Sequence, residues 1–135
     1  MFKSAHEFVQ DAKTAVNEVS LADIQAVMSS AEPLIIDVRE PDEFREGHVP
    51  GAINIPRGLL EFQISNDASM QKLNRSMIIY CKTSGRAALA ALTLQTMGFQ
   101  NVVSLAGSTT VPKQRARRIG VWSMPTVLRS ACGEA

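Results

Sequence analysis

Residues 76–97, which read SMIIYCKTSGRAALAALTLQTM, decide the fold of this chain. The first five residues form a short apolar run, which is typical of a buried strand. From Arg86 to Met97 the sequence is rich in strong helix formers, and Gly98 ends this pattern. The segment CKTSGR, residues 81–86, joins the two. This stretch therefore predicts a strand, a tight loop and a helix.

The sequence on both sides of this unit predicts further strands and helices. Short runs of β-branched and apolar residues predict strands at 34–38, 52–55 and 101–105, and a short helical turn is expected at 42–46. Because strands alternate with helices, we expect an α/β fold with a central, mainly parallel sheet and helices on both faces. Residues 57–75 are predicted to form helix and loop, with inward-facing Leu59, Leu60, Phe62 and Ile64.

The N-terminal stretch has helical periodicity. Apolar residues recur every three or four positions from Ser4 to Val19, which predicts an amphipathic helix. Ser20 precedes Asp23 by three residues, a spacing similar to a capping box, and predicts a second short helix through about Ser29.

Length and charge indicate one domain with an atypical end. The chain has 135 residues and 45% hydrophobic content, enough for a single packed core. We expect an N-terminal helical segment at 1–30, a domain core at 31–107, and a basic segment of uncertain structure at 108–135. That last segment carries five of the 14 Lys/Arg and one of the 13 acids. Because it lacks interleaved aromatic residues, it predicts a solvated tail, and no nucleic-acid partner is expected.

Other features argue for an intracellular protein without a metal. The N-terminal sequence has interleaved acids and no apolar run long enough for a signal sequence or a membrane span, so a cytoplasmic location is expected. Cys81 and Cys132 are too few for a disulfide framework, and a reducing compartment would keep both thiols free. No Cys/His spacing is typical of a zinc site, and no organic cofactor is expected.

The loop at 81–86 is the predicted centre of chemistry. Ligands of open parallel sheets bind beyond the carboxyl ends of the strands, where Cys81 is expected. The N-terminus of the following helix, together with Lys82 and Arg86, would favour the nucleophilic thiolate. Four residues separate Cys81 from Arg86, one fewer than in a C-x5-R phosphate loop. The smaller loop suits a single terminal sulfur better than a phosphoryl group, although a phosphatase or arsenate reductase stays open.

Two stretches resemble the rhodanese family of sulfurtransferases. They are IIDVREPDEFREGHVPGAINIP at 35–56 and IIYCKTSGRAALAALTLQTMGFQNVVSLAG at 78–107. The resemblance implies a single rhodanese-like domain in which Cys81 takes sulfane sulfur from a donor such as thiosulfate and holds it as a persulfide. It also implies a thiol, cyanide or protein acceptor. The sulfur-binding loop would then be formed by the backbone amides of Lys82, Thr83, Ser84, Gly85 and Arg86. Arg86 would close this loop or orient an anionic donor.

The resemblance has one departure within the loop. Ser84 occupies a position that is often glycine in such families, so Gly85 is expected to supply any unusual backbone angle. After Gly107 the sequence no longer follows the family pattern.

Supporting residues and alternatives complete the predicted site. Asp37 and Arg39 are expected to form an internal ion pair near the site, and Arg57 could line its pocket. His48 is interpreted as a turn residue bonded to the backbone, and Cys132 as a terminal thiol. The alternatives are an inert buried Cys81 and a sulfur-relay or binding module that serves a protein partner with little free turnover.

Overall fold

The computed structural model of the protein describes residues 1–24, 32–107 and 109. The described chain contains five strands, β1 (Asn17–Val19), β2 (Leu34–Asp37), β3 (Ile53–Asn54), β4 (Ser76–Tyr80) and β5 (Asn101–Leu105). They form one fully parallel sheet in the order β1-β5-β4-β2-β3. This confirms the predicted α/β class and parallel sheet.

Four α-helices and three short 3₁₀ turns surround the sheet within the described residues. The last of these helices follows β4 after a short loop, as the sequence predicts. The helices are α1 (Ala5–Ala15), α2 (Pro41–Glu46), α3 (Leu60–Ser65) and α4 (Gly85–Thr96), and the 3₁₀ turns are Leu21–Asp23, Arg57–Leu59 and Ala68–Met70.

Two apolar layers enclose the sheet, one on each face. Side chains alternate between the faces along a strand, so Ile79 and Cys81 enter one layer while Ile78 and Tyr80 enter the other. The first layer packs against α3 and α4 through Leu60, Ile64 and the alanine-rich face of α4. The second layer includes Ile24 and Val49. The thiol of Cys81 therefore belongs to the α4 side of the sheet.

The N-terminal helix is shorter than predicted, and an edge strand follows it. A capping box between Ser4 and Glu7 starts α1, but the backbone becomes extended at Val16. Residues Asn17–Val19 then pair with β5 as strand β1. The prediction of a helix through Val19 is wrong here. Residues 17–19 pair with a neighbouring strand, and this pairing overrides their helical spacing.

The predicted helix after Ser20 appears in the described residues as the 3₁₀ turn Leu21–Asp23. The Ser20 side chain makes no bond to the helix backbone. Its Oγ instead donates to the carboxylate of Asp23 at 3.0 Å, so the predicted capping box is wrong. Residues 25–31, which include the rest of the predicted helix, lie outside the described part.

Part of the predicted inward face around α3 points to solvent. Leu60 and Ile64 are buried as expected, whereas Leu59 and Phe62 are 49% and 66% exposed. The prediction for these two is wrong because α3 is short and its i, i+4 pair already provides the stripe that faces the core. Phe62, which lies between these two residues, and Leu59, which precedes α3, then point outward.

Among the described residues, no helix is both long and apolar enough to cross a membrane. The cytoplasmic location and the domain boundaries stay predictions. The predicted basic segment lies outside the described residues except for Thr109.

The two faces of α3 can be compared by mutation. Ile64→Ala should lower the free energy of unfolding by about 2–5 kcal/mol, because it leaves a cavity in a packed core. Phe62→Ala should change it by less than about 0.5 kcal/mol, since the ring lies largely in water. Urea unfolding of both variants checks this, and equal losses would contradict the orientation of α3.

Candidate functional site

Cys81 lies where the central strand meets the following helix. It comes directly after β4, and the backbone N–H of Ala87 donates to its Sγ at 3.3 Å. The N–H of Ala88 donates to the carbonyl of Ser84 at 2.9 Å, which closes the first turn of α4. The thiol therefore lies against the N-terminus of a helix, where negative charge is stabilised.

The loop between strand and helix is half open to water. Lys82 and Thr83 are exposed, whereas Cys81 itself is 1% exposed and packs against the core. The carbonyl of Lys82 accepts the N–H of Thr109 at 2.9 Å, so the end of the described chain also borders the loop. A reagent that attacks the thiol needs the side chains or the loop around it to move.

Ser84 supplies the unusual backbone angle of the loop. Its φ of 78° places it in the left-handed region, and it is the one non-glycine residue with positive φ among those described. This conformation costs an L-residue about 1–2 kcal/mol. The expectation that Gly85 takes this role is wrong, because Gly85 is already the first residue of α4.

Lys13 is a loop contact that the sequence did not indicate. Its Nζ donates to the buried Ser84 Oγ at 2.7 Å. The same Nζ lies 3.2 Å from a carboxylate oxygen of Glu18, in an ion pair that is not aligned as a hydrogen bond. The contact spans 71 positions of sequence, so the helical periodicity of α1 carries no signal for it.

Arg86 forms a fork with Glu43 from α2. Its two terminal nitrogens donate to the Glu43 oxygens at 2.8 and 3.2 Å. These bonds, with a further bond from the Glu40 N–H, lower the pKa of Glu43 from 4.5 to about 2 despite some burial. In return, the Glu43 hydrogen bond raises the pKa of Arg86. The positive charge of Arg86 is therefore balanced by the carboxylate of Glu43.

Asp37 and Arg39 form the predicted internal ion pair. The Arg39 guanidinium donates to the fully buried Asp37 carboxylate, with the shortest contact at 2.7 Å, and also to the Gly47 carbonyl. Burial alone would lower the pKa of Arg39, but the bond and charge of Asp37 outweigh it and raise the pKa. Burial, and then the charge of Asp37, raise the pKa of Tyr80, whose hydroxyl donates to Asp37 at 2.8 Å.

This network braces the strand end from the opposite face of the sheet. Tyr80 precedes Cys81, but its side chain enters the other apolar layer. The Tyr80 hydroxyl also accepts the Val49 N–H at 3.0 Å. Asp37 and Arg39 thus hold the residue before the thiol rather than line the space beside it.

Arg57 and His48 are held by their own neighbours. Arg57 donates to Glu61 at 3.2 Å and to the Thr93 hydroxyl at 3.0 Å, so its role in a pocket stays a prediction. His48 Nδ1 lies 2.8 Å from the Phe44 carbonyl, and its ring stacks on the Phe44 ring. This agrees with the interpretation of a turn histidine.

No cluster of three or more His, Cys, Asp or Glu that could hold a metal ion occurs within residues 1–24, 32–107 and 109. Cys132 lies outside this part of the chain.

The fold and the loop together define an α/β domain with a thiol at the carboxyl end of its central parallel strand and at the start of a helix. The chain belongs to the rhodanese-like domain family, whose model matches residues 20–111. This confirms the resemblance seen in the sequence.

Two relatives carry names that refer to sulfur chemistry. A Bacillus subtilis protein named as a putative sulfur carrier is 31% identical over 93 residues, which is 68% of this chain and 48% of that protein. A Schizosaccharomyces pombe protein named as a putative mitochondrial thiosulfate sulfurtransferase is 30% identical over an alignment of 111 residues, and the match covers 70% of this chain and 78% of that protein. The chain thus spans about half of the first relative and most of the second.

A solved structure resembles this fold over a larger share of the chain than the two relatives do. It is a Rhodopseudomonas palustris protein of unknown function, described as a possible tyrosine phosphatase. It is 28% identical with a TM-score of 0.68, and the match covers 89% of this chain and 93% of the other.

The ion pair between Glu43 and Arg86 predicts a pH dependence of stability. Because folding lowers the pKa of Glu43, the pair stabilises the protein above pH 4.5 and loses this effect as the pH falls toward about 2. As the pH falls over this range, the free energy of unfolding of the wild type should decrease by about 1 kcal/mol more than that of Glu43→Gln. This value is reduced because the pair is partly exposed. Urea unfolding at several pH values measures it, and parallel curves for the two proteins would contradict the pair.

Proposed function

We propose that the protein is a sulfurtransferase that moves sulfane sulfur from a donor such as thiosulfate to a nucleophilic acceptor through a persulfide on Cys81. The observation that carries this proposal is the 3.3 Å contact from the Ala87 N–H to Sγ, at the end of a four-residue loop. It puts the sulfur beside the positive end of α4.

The reaction divides into two balanced displacements. The Cys81 thiolate attacks the outer sulfur of thiosulfate, an S–S bond forms to Cys81, and sulfite leaves with the electron pair of the broken S–S bond. An acceptor, which is a thiolate, cyanide or a protein thiolate, then attacks the outer sulfur and releases the Cys81 thiolate. Each step exchanges one nucleophile for another, so neither requires a metal or an organic cofactor.

The loop supplies stabilisation for the terminal sulfur of the persulfide. A persulfide anion has its negative charge one atom beyond Sγ, toward the N–H groups that open α4. The proposed donors are the N–H groups of Gly85 and Arg86 at the start of α4 and those of residues 82–84 before it, and the exposed Lys82 adds positive charge at the rim. Four intervening residues fit one sulfur better than a tetrahedral phosphoryl group.

The burial of Cys81 favours a second candidate, a relay module that receives or delivers sulfur through a protein partner. At 1% exposure, the thiol is poorly open to small donors unless the loop moves. A bound protein could open this loop and present its own sulfur directly. The name of the Bacillus subtilis relative, a sulfur carrier, points the same way.

Mass spectrometry of the intact chain tests the persulfide. After thiosulfate treatment the protein should gain one sulfur atom, peptide mapping should place it on Cys81, and cyanide should remove it. Cys81→Ser should abolish the gain, because serine forms no persulfide, while Cys81→Ala controls for loss of packing. Sulfur transfer by a chain whose Cys81 stays unmodified would overturn the proposal.

Turnover measurements separate the enzyme from the relay module. Rapid Cys81-dependent formation of thiocyanate from thiosulfate and cyanide supports the free enzyme. Slow turnover combined with loading from a protein persulfide supports the relay. Hydrolysis of p-nitrophenyl phosphate that requires Cys81 and occurs without persulfide formation would instead support phosphatase chemistry.

A further inference from the structure

We propose that Lys13 is a positioning residue of the loop at 81–86, and that it acts by holding Ser84 in its left-handed conformation. This inference rests on the proposed function of Cys81 for its effect on sulfur loading. The family model begins at residue 20, so Lys13 on α1 lies outside the part of the chain that the family match covers.

The first step of the argument is the conformation of Ser84. It occupies the last position before α4, and its carbonyl accepts the N–H of Ala88 in the first turn of that helix. A left-handed backbone at this point turns the chain so that α4 starts over Cys81. Because the side chain of an L-residue disfavours this conformation, a further interaction is needed to maintain it.

The second step is the interaction that Lys13 provides. Ser84 makes no side-chain bond to the helix it precedes, and its buried Oγ accepts the Lys13 ammonium at 2.7 Å. A hydrogen bond from a charged donor is stronger than one between neutral groups. Glu18 on β1 lies beside the same ammonium and keeps the cation in place.

The third step is the packing of α1 on the loop. The side chain of Val9 lies 3.6 Å from where a Cβ on Gly85 would be. Val9 and Lys13 are one helical turn apart on α1, so one face of this helix contacts both Gly85 and Ser84. The N-terminal helix therefore belongs to the site as well as to the fold.

A double-mutant cycle tests whether Lys13 acts through Ser84. Lys13→Met should lower the second-order rate constant for persulfide loading by roughly tenfold, the effect of losing one charge-assisted bond. Ser84→Ala should cause a similar loss, since the unfavourable backbone remains without its partner. Ser84→Gly should load faster than Ser84→Ala, because glycine adopts positive φ readily.

The decisive comparison is Lys13→Met in the Ser84→Gly background. In this background, Lys13→Met should change the rate constant for persulfide loading by less than about twofold. If Lys13 only stabilises α1 or attracts the donor by its charge, the loss will appear in both backgrounds and overturn the proposal. Lys3→Met is the matched control, because Lys3 precedes α1 and pairs with Asp11 on that helix, whereas Lys13 is bonded to Ser84, and it should have no effect.

A second readout is independent of sulfur transfer. The pH profile of Cys81 alkylation by iodoacetamide should shift in Lys13→Met and in Ser84→Ala but not in Lys3→Met. If this shift occurs while wild type forms no persulfide, the proposed function fails and the role of Lys13 stands. Identical profiles and identical loading rates in all variants would overturn the role of Lys13 itself.

Discussion

The structure depends on the constraint that the chain must pass from the central strand β4 into α4 within four residues. The thiol of Cys81 then meets the N–H of Ala87 at 3.3 Å, instead of lying among apolar side chains alone. Ser84 makes this turn possible by taking a left-handed backbone conformation. Because β4 pairs with strands on both sides, the residue before Cys81 is held in the middle of the sheet, and this limits where the thiol can lie.

Two groups of side chains hold this turn from different directions. On the face away from the thiol, the buried Asp37 binds both Arg39 and Tyr80, and so fixes the end of β4 relative to β2. On the other side, Lys13 reaches Ser84 from α1. Buried polar groups of this kind are stable when each has a partner, and a network confined to one arrangement favours a single loop geometry.

The sequence predicted the sheet and the position of Cys81 because both have local signals. The strand ending at Tyr80 and the alanine-rich helix after Arg86 are visible as composition and spacing. The sequence did not predict strand β1, because three residues are too few to show the alternation typical of a strand. They form a strand through their pairing with β5. The Lys13 contact and the pair of Glu43 with Arg86 were missed for a related reason: each joins residues far apart in sequence, through side chains common at any surface.

The pairing of Arg86 changes how the electrostatics of the loop are understood. A sequence with arginine at the end of a thiol loop suggests a cation that binds the ligand, but the Glu43 carboxylate already occupies both terminal nitrogens of this guanidinium. The net charge of the pair is near zero, so its field weakens quickly with distance. In the proposed function, negative charge on the sulfur is then stabilised mainly by the backbone N–H groups at the start of α4, whose direction depends on the conformation of Ser84. The geometry of the loop backbone thus matters more for this site than the charge of its arginine.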